Sequence, residues 1–509
     1  MEFDMKSATA AVTVALSVLA LAGCAQQPEP LQRYYHQHLS FGTCDGYATT
    51  SGDEEAFASS PDLRCARMEV PLDYQNPDGR TARIALLKVP ARGEKLGSLV
   101  LNPGGPGGAG MSLAAAAAKI WANNPITERF DLIGFDPRGV GASTPAVDCF
   151  TDAEVDTGQA VFPTAAAVGR WTATDTHALM NRCAERSGGL DVLTHLGTRD
   201  AVRDMDVLRA ALGDDKLTFA GLSYGTRLGA VYAEMFPRNV RALVLDGAID
   251  PASGTVERHL SQFAAFQRSF DKMAADCATR PDCPLGTDPT KATEVFQSIA
   301  RPLNDHPVPA GDGRKLDFSG AFSGVGAGLY VASAWPTILR GIAEIGTGRG
   351  DILLALNDVL RGRDANGRWS NFGEANYAIN CLDEQRRSPA EETDLRRRIY
   401  AAAPFTDPGT GADGARDGCE FWPAEPTLGY PYATGIENLP KTLTISTTGD
   451  PATPYAGGVS LARALSGAML TVEGEQHTAA LSPNPCVHGV VANYLIDLKL
   501  PPAEAKCAL

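Results

Sequence analysis

Positively charged residues are scarce in this sequence, and their scarcity excludes one broad class of function. The 45 Lys and Arg residues are outnumbered by 60 Asp and Glu residues, which leaves a net charge of −15 at neutral pH. A protein that binds nucleic acid needs a surplus of cations to neutralise the phosphate backbone. We therefore expect no nucleic-acid partner. Because 44% of the 509 residues are hydrophobic, the chain can bury a large core, which excludes disorder as its main character.

Metal-ligand patterns are missing as well. The 11 cysteines contain no C-x-x-C pair, and the eight histidines form no H-E-x-x-H motif or comparable cluster. The sequence therefore predicts no metal site.

The apolar run at the N-terminus is too short to span a bilayer. Residues 8–22 hold only Thr and Ser as polar residues, about 15 residues where a span needs roughly 20. The run ends in Leu21-Ala22-Gly23-Cys24, which resembles a bacterial lipobox. We predict a lipoprotein signal peptide over residues 1–23, with Cys24 lipidated and the protein anchored to the outer face of a membrane in the cell envelope. An ordinary secreted protein with a chance cysteine is the alternative.

The cysteines that follow Cys24 indicate an oxidising compartment. They are ten in number, an even count after a signal peptide, which suggests five disulfides. The simplest connectivity joins neighbours along the chain: Cys44 with Cys65, Cys149 with Cys183, Cys277 with Cys283, Cys381 with Cys419, and Cys486 with Cys507. The sequence alone leaves other pairings open.

Strand-like and helix-like patterns alternate after an N-terminal extension over residues 24–65. Residues 67–72 and 82–89 flank a run of turn formers and predict an antiparallel hairpin. Strand-like runs at 99–101, 130–135, 217–220 and 242–245 alternate with helical stretches, which predicts a parallel sheet covered on both faces. We therefore predict an α/β core whose first part covers residues 66–250.

A mainly helical segment interrupts this core. The pattern is mostly helical from residue 251 to residue 437, and strand-like runs return at 442–446 and 468–472. This organisation predicts a helical cap inserted over residues 251–437 and a C-terminal part of the core over residues 438–509.

A candidate nucleophile lies between a predicted strand and a predicted helix. Residues 221–225 (Gly-Leu-Ser-Tyr-Gly) fit the G-x-S-x-G motif, in which a tight turn exposes the serine at the start of a helix. We therefore predict that Ser223 is a nucleophile. The alternative is a glycine-rich turn with a structural serine.

Candidate partners for this serine follow two later strands. Asp450 comes directly after one predicted strand, and His477 lies in the loop after the next. The order Ser223, Asp450, His477 is that of an α/β-hydrolase triad, in which the histidine takes the serine proton and the acid orients the histidine. Asp246 and Asp250 are rival candidates for the acid. A turn-capping aspartate and a surface histidine are the other interpretations.

A glycine-rich loop follows the strand at 99–101. Residues 102–108 (Asn-Pro-Gly-Gly-Pro-Gly-Gly) have few side chains, so backbone amides can approach a reacting carbonyl. We predict an oxyanion hole formed by the N–H groups of Gly105 and Tyr224. A phosphate-binding loop is disfavoured, because the Gly-Lys-Ser/Thr ending and the G-x-G-x-x-G spacing are both missing.

Six segments together resemble a known family: residues 102–108, 134–139 (Gly-Phe-Asp-Pro-Arg-Gly), 221–227, 378–383 (Ala-Ile-Asn-Cys-Leu-Asp), 450–455 (Asp-Pro-Ala-Thr-Pro-Tyr) and 476–478 (Gln-His-Thr). They are similar to the actinobacterial tripeptidyl aminopeptidase family, which consists of secreted or envelope-bound serine peptidases of the prolyl-aminopeptidase type. Its mycobacterial lipoprotein members include proteins called carboxylesterases. The resemblance covers nearly the whole of residues 65–507. One departure is the Asn-Pro-Gly-Gly-Pro loop, where prolyl aminopeptidases proper have His-Gly-Gly-Pro.

The resemblance implies an α/β-hydrolase fold with a cap over the active site, the triad Ser223, Asp450 and His477, and no cofactor. An aminopeptidase must also hold a free α-ammonium group, usually with carboxylates. The candidates in the cap are Glu374, Asp383 and Glu384, and Asn380 is a candidate for a neutral hydrogen bond. Thr453 is a candidate support for the triad, with a local turn cap as the alternative.

The sequence therefore predicts a cell-envelope serine hydrolase that cleaves peptide or protein substrates from a free N-terminus through an acyl-enzyme on Ser223. Two alternatives stay open. The same triad serves an envelope carboxylesterase or lipase, since Ser-His-Asp chemistry does not choose between ester and amide. The third reading is a non-catalytic lipoprotein that binds a partner. The sequence does not indicate an oligomeric state.

Overall fold

The structure is a computed structural model that describes residues 29–160 and 171–509. The predicted signal peptide over residues 1–23 and the predicted lipidation site Cys24 lie outside these described residues.

A mixed sheet of nine strands forms the centre of the described chain. The strands are β1 (Arg64–Pro71), β2 (Thr81–Val89), β3 (Gly97–Asn102), β4 (Phe130–Phe135), β5 (Leu217–Leu222), β6 (Val240–Asp246), β9 (Leu443–Thr447), β10 (Ala468–Glu473) and β11 (Lys506–Ala508), while β7 (Val308–Pro309) and β8 (Lys315–Leu316) form a separate two-stranded ribbon. Their order across the sheet is β1-β2-β4-β3-β5-β6-β9-β10-β11. Pairing is antiparallel from β1 through β2 to β4 and parallel beyond. The sequence predicted the β1–β2 hairpin and the parallel strands, but not the antiparallel pairing of β2 with β4.

Helices cover both faces of this sheet. The helices outside the segment between β6 and β9 are α1 (Glu29–Tyr35), α2 (Ser51–Ala58), α3 (Gly110–Ile120), α4 (Ile126–Arg129), α5 (Asp152–Asp156), α6 (Ala173–Ser187), α7 (Leu190–Leu193), α8 (Thr198–Ala211), α9 (Tyr224–Met235), α17 (Tyr455–Ala464) and α18 (Pro485–Asp497). Every residue of β4 and β5 is buried, because a parallel strand with helices on both sides has no solvent face.

The segment between β6 and β9 is mainly helical. Its helices are α10 (Thr255–Cys277), α11 (Ala292–Ala300), α12 (Phe318–Leu329), α13 (Trp335–Ile345), α14 (Asp351–Arg361), α15 (Phe372–Asp383) and α16 (Pro389–Ala402). Residues from Phe270 to Phe405 form a hydrophobic cluster separate from those of the sheet. Helix α15 differs, since Ala375, Ala378 and Ile379 belong to a cluster of the sheet. The segment thus has its own hydrophobic core, and its helix α15 packs on the core of the sheet.

Five disulfides link the described chain, and each joins neighbouring cysteines. They are Cys44–Cys65, Cys149–Cys183, Cys277–Cys283, Cys381–Cys419 and Cys486–Cys507. This is the connectivity that the sequence analysis gave as the simplest. Within residues 29–160 and 171–509, no helix combines the length and the apolar character that crossing a membrane requires.

A buried ion pair holds the loop after β4 against α8. Arg138 bonds both carboxylate oxygens of Asp204, at 2.8 Å through Nε and at 2.7 Å through Nη2, and both side chains are 1% exposed. Arg138 also donates to the carbonyls of Leu72 and His195, and Tyr74 donates to Asp204. The Gly-Phe-Asp-Pro-Arg-Gly segment therefore has a structural part in the fold.

Candidate active site

Ser223 occupies a sharp turn between β5 and α9. Its φ and ψ angles are 55° and −121°, a conformation that non-glycine residues rarely adopt. A Cβ atom at Gly221 would lie 2.3 Å from the carbonyl oxygen of Gly225, and a Cβ atom at Gly225 would lie 2.9 Å from that of Asn102. Both positions therefore require glycine. The turn has the geometry of a nucleophile elbow, with the serine at the N-terminus of a helix.

The glycine-rich loop lies directly against this turn. A Cβ atom at Gly104 would come within 2.4 Å of the carbonyl oxygen of Leu222 and 2.8 Å of the Tyr224 nitrogen. The N–H of Tyr224 opens α9, so it has no acceptor within its helix. The structure thus brings the loop that holds Gly105 next to the Tyr224 amide, the second of the two predicted oxyanion donors.

The first turns of α15 pack on the glycine-rich loop. A Cβ atom at Gly107 would lie 2.7 Å from the carbonyl oxygen of Phe372 and 3.0 Å from the nitrogen of Asn376. The Asn376 amide donates to the carbonyl of Pro106 at 2.9 Å, and the Asn380 amide donates to Asn376 Oδ1 at 3.0 Å. Asn380, a candidate substrate ligand from the sequence, therefore supports the side chain that holds the loop.

Asp450 is buried at the end of the turn after β9. One carboxylate oxygen accepts the N–H groups of Ala452 and Thr453, at 2.9 and 2.8 Å, and the other accepts the Thr453 hydroxyl at 3.0 Å. The Thr453 hydroxyl is also 3.2 Å from Nδ1 of His477. Thr453 thus contacts both Asp450 and His477, and this exceeds a local turn cap.

His477 faces the Asp450 carboxylate from the loop after β10. Its Nδ1 atom lies 2.9 Å from each oxygen of Asp450, which leaves Nε2 as the ring nitrogen free for proton transfer. Burial by itself would lower the pKa of His477, but the charge and hydrogen bond of Asp450 outweigh it and raise the pKa above 6.5. The pair is therefore arranged to stabilise a protonated imidazole.

The inserted segment supports the histidine loop from above. The N–H of His477 donates to the carbonyl of Tyr330 at 2.8 Å, and the two rings meet edge to face with centroids 5.1 Å apart. The N–H of Ala332 donates to the carbonyl of Glu475 at 3.1 Å. The chain just after α12 thus fixes the backbone on which His477 is carried.

The two rival acids have other partners. Asp246 accepts the N–H groups of Ala479 and Ala480, and Asp250 accepts the N–H of Ala252 and the hydroxyls of Ser253 and Ser460. Within the described chain, the carboxylate bonded to His477 is that of Asp450.

Glu384 is the ammonium candidate that the structure links to the acid turn. It contacts Arg258 and lies 3.2 Å from Nε2 of His259, both on α10. Gln262 lies three residues along on α10, and its amide donates to the carbonyl of Ala452 at 2.8 Å. Although burial opposes it, Arg258 and His259 hold the pKa of Glu384 below its usual range, so this carboxylate is ionised. One turn of α10 therefore connects Glu384 with the turn that carries Asp450.

Asp383, another ammonium candidate, has a fully buried carboxylate whose partners are protein groups. It accepts the N–H of Thr198 at 3.0 Å and the Thr198 hydroxyl at 2.5 Å, and it lies 3.3 Å from the Arg227 guanidinium. The Thr198 hydroxyl is also 2.6 Å from the Tyr224 hydroxyl. Asp383 thus anchors α15 to the elbow.

Glu374, the third ammonium candidate, lies beside a cavity, and its binding of a substrate ammonium group stays a prediction. Its carboxylate accepts the N–H of Phe150 at 2.9 Å and lines a cavity of about 310 Å³ together with Asp148, Arg186 and Trp369. Burial raises the pKa of Glu374 to about 7, so the carboxyl group is only partly ionised at neutral pH. This cavity is lined by neither Ser223 nor His477.

Several supporting residues had no signal in the sequence. Tyr330, Asn376 and Thr198 each contact the site through partners more than 25 positions away. A pattern of residue types along the chain cannot show such contacts. In the ranges that the structure describes, no group of three or more His, Cys, Asp or Glu side chains is arranged to hold a metal ion.

Comparison with known proteins gives long matches. The chain matches the α/β hydrolase fold family over residues 97–482. It is 43% identical over 455 residues to the serine protease Hip1 of Mycobacterium tuberculosis, with 87% of each chain covered. Carboxylesterase B of the same organism is 42% identical over 455 residues, which cover 87% of this chain and 86% of that one. The tripeptidyl aminopeptidase of Streptomyces lividans is 30% identical over 467 residues, which cover 88% of this chain and 84% of that one.

Proposed function

We propose, on the premise that this chain belongs to the α/β-hydrolase family, that it is an exported serine peptidase which releases short peptides from a free N-terminus. The chain is a serine hydrolase with relatives named as a protease, an esterase and an aminopeptidase. These assignments make it an enzyme, so the non-catalytic binder that the sequence left open is dropped.

One observation carries the catalytic proposal. Ser223 is held in a strained turn at a helix N-terminus, in the same site as a buried His477–Asp450 pair whose Nδ1–oxygen distances are 2.9 Å. The backbone N–H of Ser223 donates to the backbone carbonyl of Asp246, at the end of β6. A Cβ atom at the next residue, Gly247, would lie 3.1 Å from Cε1 of His477, so the serine turn and the histidine lie close together. This arrangement supports the roles of nucleophile, base and orienting acid for Ser223, His477 and Asp450.

The proposed reaction passes through an acyl-enzyme. Nε2 of His477 takes the Ser223 hydroxyl proton while Oγ attacks the scissile carbonyl, and the N–H groups of Gly105 and Tyr224 stabilise the oxyanion. The protonated His477 then gives its proton to the leaving amine as the carbon–nitrogen bond breaks. Water, deprotonated by the same histidine, attacks the acyl-enzyme, releases the peptide acid and regenerates the serine.

Cleavage from a free N-terminus is supported by two observations. The Streptomyces relative is named a tripeptidyl aminopeptidase. An ionised carboxylate, Glu384, is linked through His259 and Gln262 of α10 to the acid turn. A substrate ammonium group would take a place beside Glu384, and the partner of this protein would then be a peptide or protein with an exposed N-terminus.

A carboxylesterase is the second candidate. The name of the mycobacterial relative at 42% identity favours it, and the triad serves both reactions.

The location is part of the proposal. Five disulfides are typical of a protein that folds outside the reducing cytosol, and the sequence Leu21-Ala22-Gly23-Cys24 resembles a lipidation signal. We propose an envelope protein anchored by acyl chains on Cys24. Labelling of cells with radioactive palmitate tests this, since the wild type should be labelled and a Cys24→Ala variant should not. An unlabelled wild type would overturn the anchor and leave a secreted enzyme.

Activity is tested with three substrates: a tripeptidyl anilide with a free amine, its N-acetylated counterpart and a short acyl ester. We expect the free amine to be preferred over the acetylated anilide, and Ser223→Ala to lose at least about a thousandfold in turnover on every substrate. Ester turnover with neither anilide cleaved would establish the esterase instead. Substantial activity in Ser223→Ala would refute the nucleophile.

A further inference from the structure

Asp246 contacts two parts of the active site at once. It is the last residue of β6, and its side chain is fully buried. Its backbone carbonyl accepts the N–H of Ser223 at 2.8 Å. One oxygen of its carboxylate accepts the N–H groups of Ala479 and Ala480, at 2.7 Å each. A single residue therefore joins the nucleophile turn to the chain that follows the histidine.

The segment held by this carboxylate carries His477. Ala479 and Ala480 come two and three residues after the histidine, and the intervening Thr478 has a φ of 61°, in the left-handed region. A β-branched residue adopts that conformation only when its surroundings impose it. The two bonds to Asp246 fix the backbone immediately after Thr478. The direction of the His477 side chain thus depends on an anchor 231 positions earlier in the sequence.

Packing at the end of β6 brings the same region against the ring. A Cβ atom at Gly247 would lie 2.8 Å from Cγ2 of Thr478 and 3.1 Å from Cε1 of His477. A side chain on the residue that follows Asp246 would therefore press against the ring. Among the described residues, the charged groups that act on the ring are Asp450 and Asp246, and the neutral Tyr330 ring and Thr453 hydroxyl also contact it.

The second carboxylate oxygen of Asp246 is buried without a hydrogen-bond partner in the described chain. A buried acceptor that lacks a partner lowers the stability of the folded protein. A neutral side chain that accepts the N–H groups of Ala479 and Ala480 would therefore hold this segment at a smaller cost in stability than the Asp246 carboxylate. Burial raises the pKa of Asp246 to about 6, while the two N–H bonds and His477 oppose the rise. The carboxylate is thus kept beside the histidine at a cost in folding stability.

We propose that Asp246 is a positioning residue that connects the His477 loop to the nucleophile strand and adds a second negative charge in the neighbourhood of the imidazole. It acts through His477 and does not replace Asp450, whose oxygens bond Nδ1. The inference rests on the proposed catalytic roles of Ser223 and His477. It requires that the bonds from Ala479 and Ala480 to Asp246 sustain kcat. It also requires that the negative charge of Asp246 influence the pH at which His477 becomes neutral and active.

Two substitutions separate these two effects in the full exported chain. Asp246→Ala removes the acceptor, so we expect kcat on the acyl ester to fall at least about tenfold with KM changed by less than about threefold. Asp246→Asn keeps one oxygen as acceptor but removes the charge. We therefore expect Asp246→Asn to keep a near wild-type kcat at alkaline pH and to move the acid limb of kcat/KM to lower pH, because His477 loses a nearby carboxylate.

Asp250→Asn is the matched control, since Asp250 also follows β6 but bonds Ser253 and Ser460. It should move neither kcat nor the acid limb. A wild-type acid limb in Asp246→Asn would overturn the electrostatic half of the inference, and an unchanged kcat in Asp246→Ala would overturn the anchor. If Asp246→Ala does not fold, the Asp246→Asn profile decides. Failure of the proposed catalytic function has a different signature, which is ester turnover that survives Ser223→Ala.

Discussion

His477 is bonded through one ring nitrogen to both oxygens of Asp450, at the same distance of 2.9 Å. A carboxylate in this position favours the positive imidazole that forms when the histidine takes a proton. Burial acts against that charge, and the nearby Asp246 supports it, so the pKa of His477 reflects the balance of all three.

The first prediction concerns this pH. Because His477 must be neutral to accept a proton and its pKa lies above 6.5, kcat/KM for a neutral ester should rise with pH through an apparent pKa above that value. Initial rates measured from about pH 5 to pH 9 at low substrate concentration check this. An acid limb at or below the ordinary histidine value would contradict the Asp450 contact as the dominant influence.

The second prediction concerns Thr453, whose hydroxyl donates to Asp450 at 3.0 Å and lies 3.2 Å from His477. Thr453→Val keeps the shape and removes the hydroxyl. A hydrogen bond to a charged group contributes about 1.5–3 kcal/mol to stability. If the transition state loses an interaction of that size, the barrier rises by the same amount, so kcat should fall by about 10- to 100-fold. Thr453→Ser, which keeps the hydroxyl, is the control and should stay close to the wild type. Equal rates in the Val and Ser variants would leave Thr453 as a turn residue only.

The third prediction tests the ammonium site. Glu384→Gln removes the ionised carboxylate that α10 connects to the acid turn, so the preference for the free-amine anilide over the acyl ester should fall by about tenfold or more. Glu374→Gln is the matched control, because Glu374 is bonded to Phe150 in a separate cavity. It should leave the preference unchanged. An equal loss on both substrates in Glu384→Gln would indicate general damage to α10 and would count against the ammonium role.

The fourth prediction concerns stability and pH. The pKa of Glu374 is raised from 4.5 to about 7 in the folded protein, so the folded state binds the proton more tightly than the unfolded state. The free energy of unfolding should therefore fall as pH rises between these values. Glu374→Gln can still accept from Phe150 and has no charge to bury. We expect it to be more stable than the wild type by about 1–3 kcal/mol at pH 8 and similar at acidic pH, as denaturant unfolding would show. A variant less stable at pH 8 would contradict the raised pKa.

The fifth prediction concerns the buried pair of Arg138 and Asp204. Arg138→Met leaves the Asp204 carboxylate buried without its cation, which should lower the free energy of unfolding by about 3–5 kcal/mol. Arg80→Met is the control, since Arg80 pairs with Asp191 at 3.1 Å while 43% of its side chain is exposed. A surface change of that kind should stay within about 0.5 kcal/mol. Similar losses in the two variants would show that burial of the Arg138 pair has no special weight.

The sequence was a good guide to the strands and to the residues at their ends. Local hydrophobic runs predict strands, and Ser223, Asp450 and His477 each follow such a run. Because the carboxyl ends of parallel strands meet at one edge, residues distant in sequence could be placed together. The disulfides could also be predicted from the sequence, because each joins cysteines that are neighbours along the chain.

The sequence was a poor guide to which acidic residues are available. Asp383 is bonded to Thr198, 185 positions away, and Glu374 to Phe150, 224 positions away. No local pattern distinguishes a carboxylate with such a distant partner from one that faces solvent. The same reason hides the link between Asp246 and Ala479, which spans 233 positions. Charge satisfaction is a property of the folded packing and not of the neighbouring residues.

The attachment of the inserted segment has a consequence for how substrate enters. The chain leaves the sheet after β6 and returns at β9, and the N–H of Gly247 bonds the carbonyl of Ile445 at 3.1 Å. A segment attached at two adjacent points could rotate about them as a rigid body. The segment, however, also bonds the loops of both His477 and Asp450, through Tyr330 and Gln262. Opening the segment as a rigid body would break these contacts, so we expect Asp450 and His477 to keep their geometry only while the segment stays in place against the sheet.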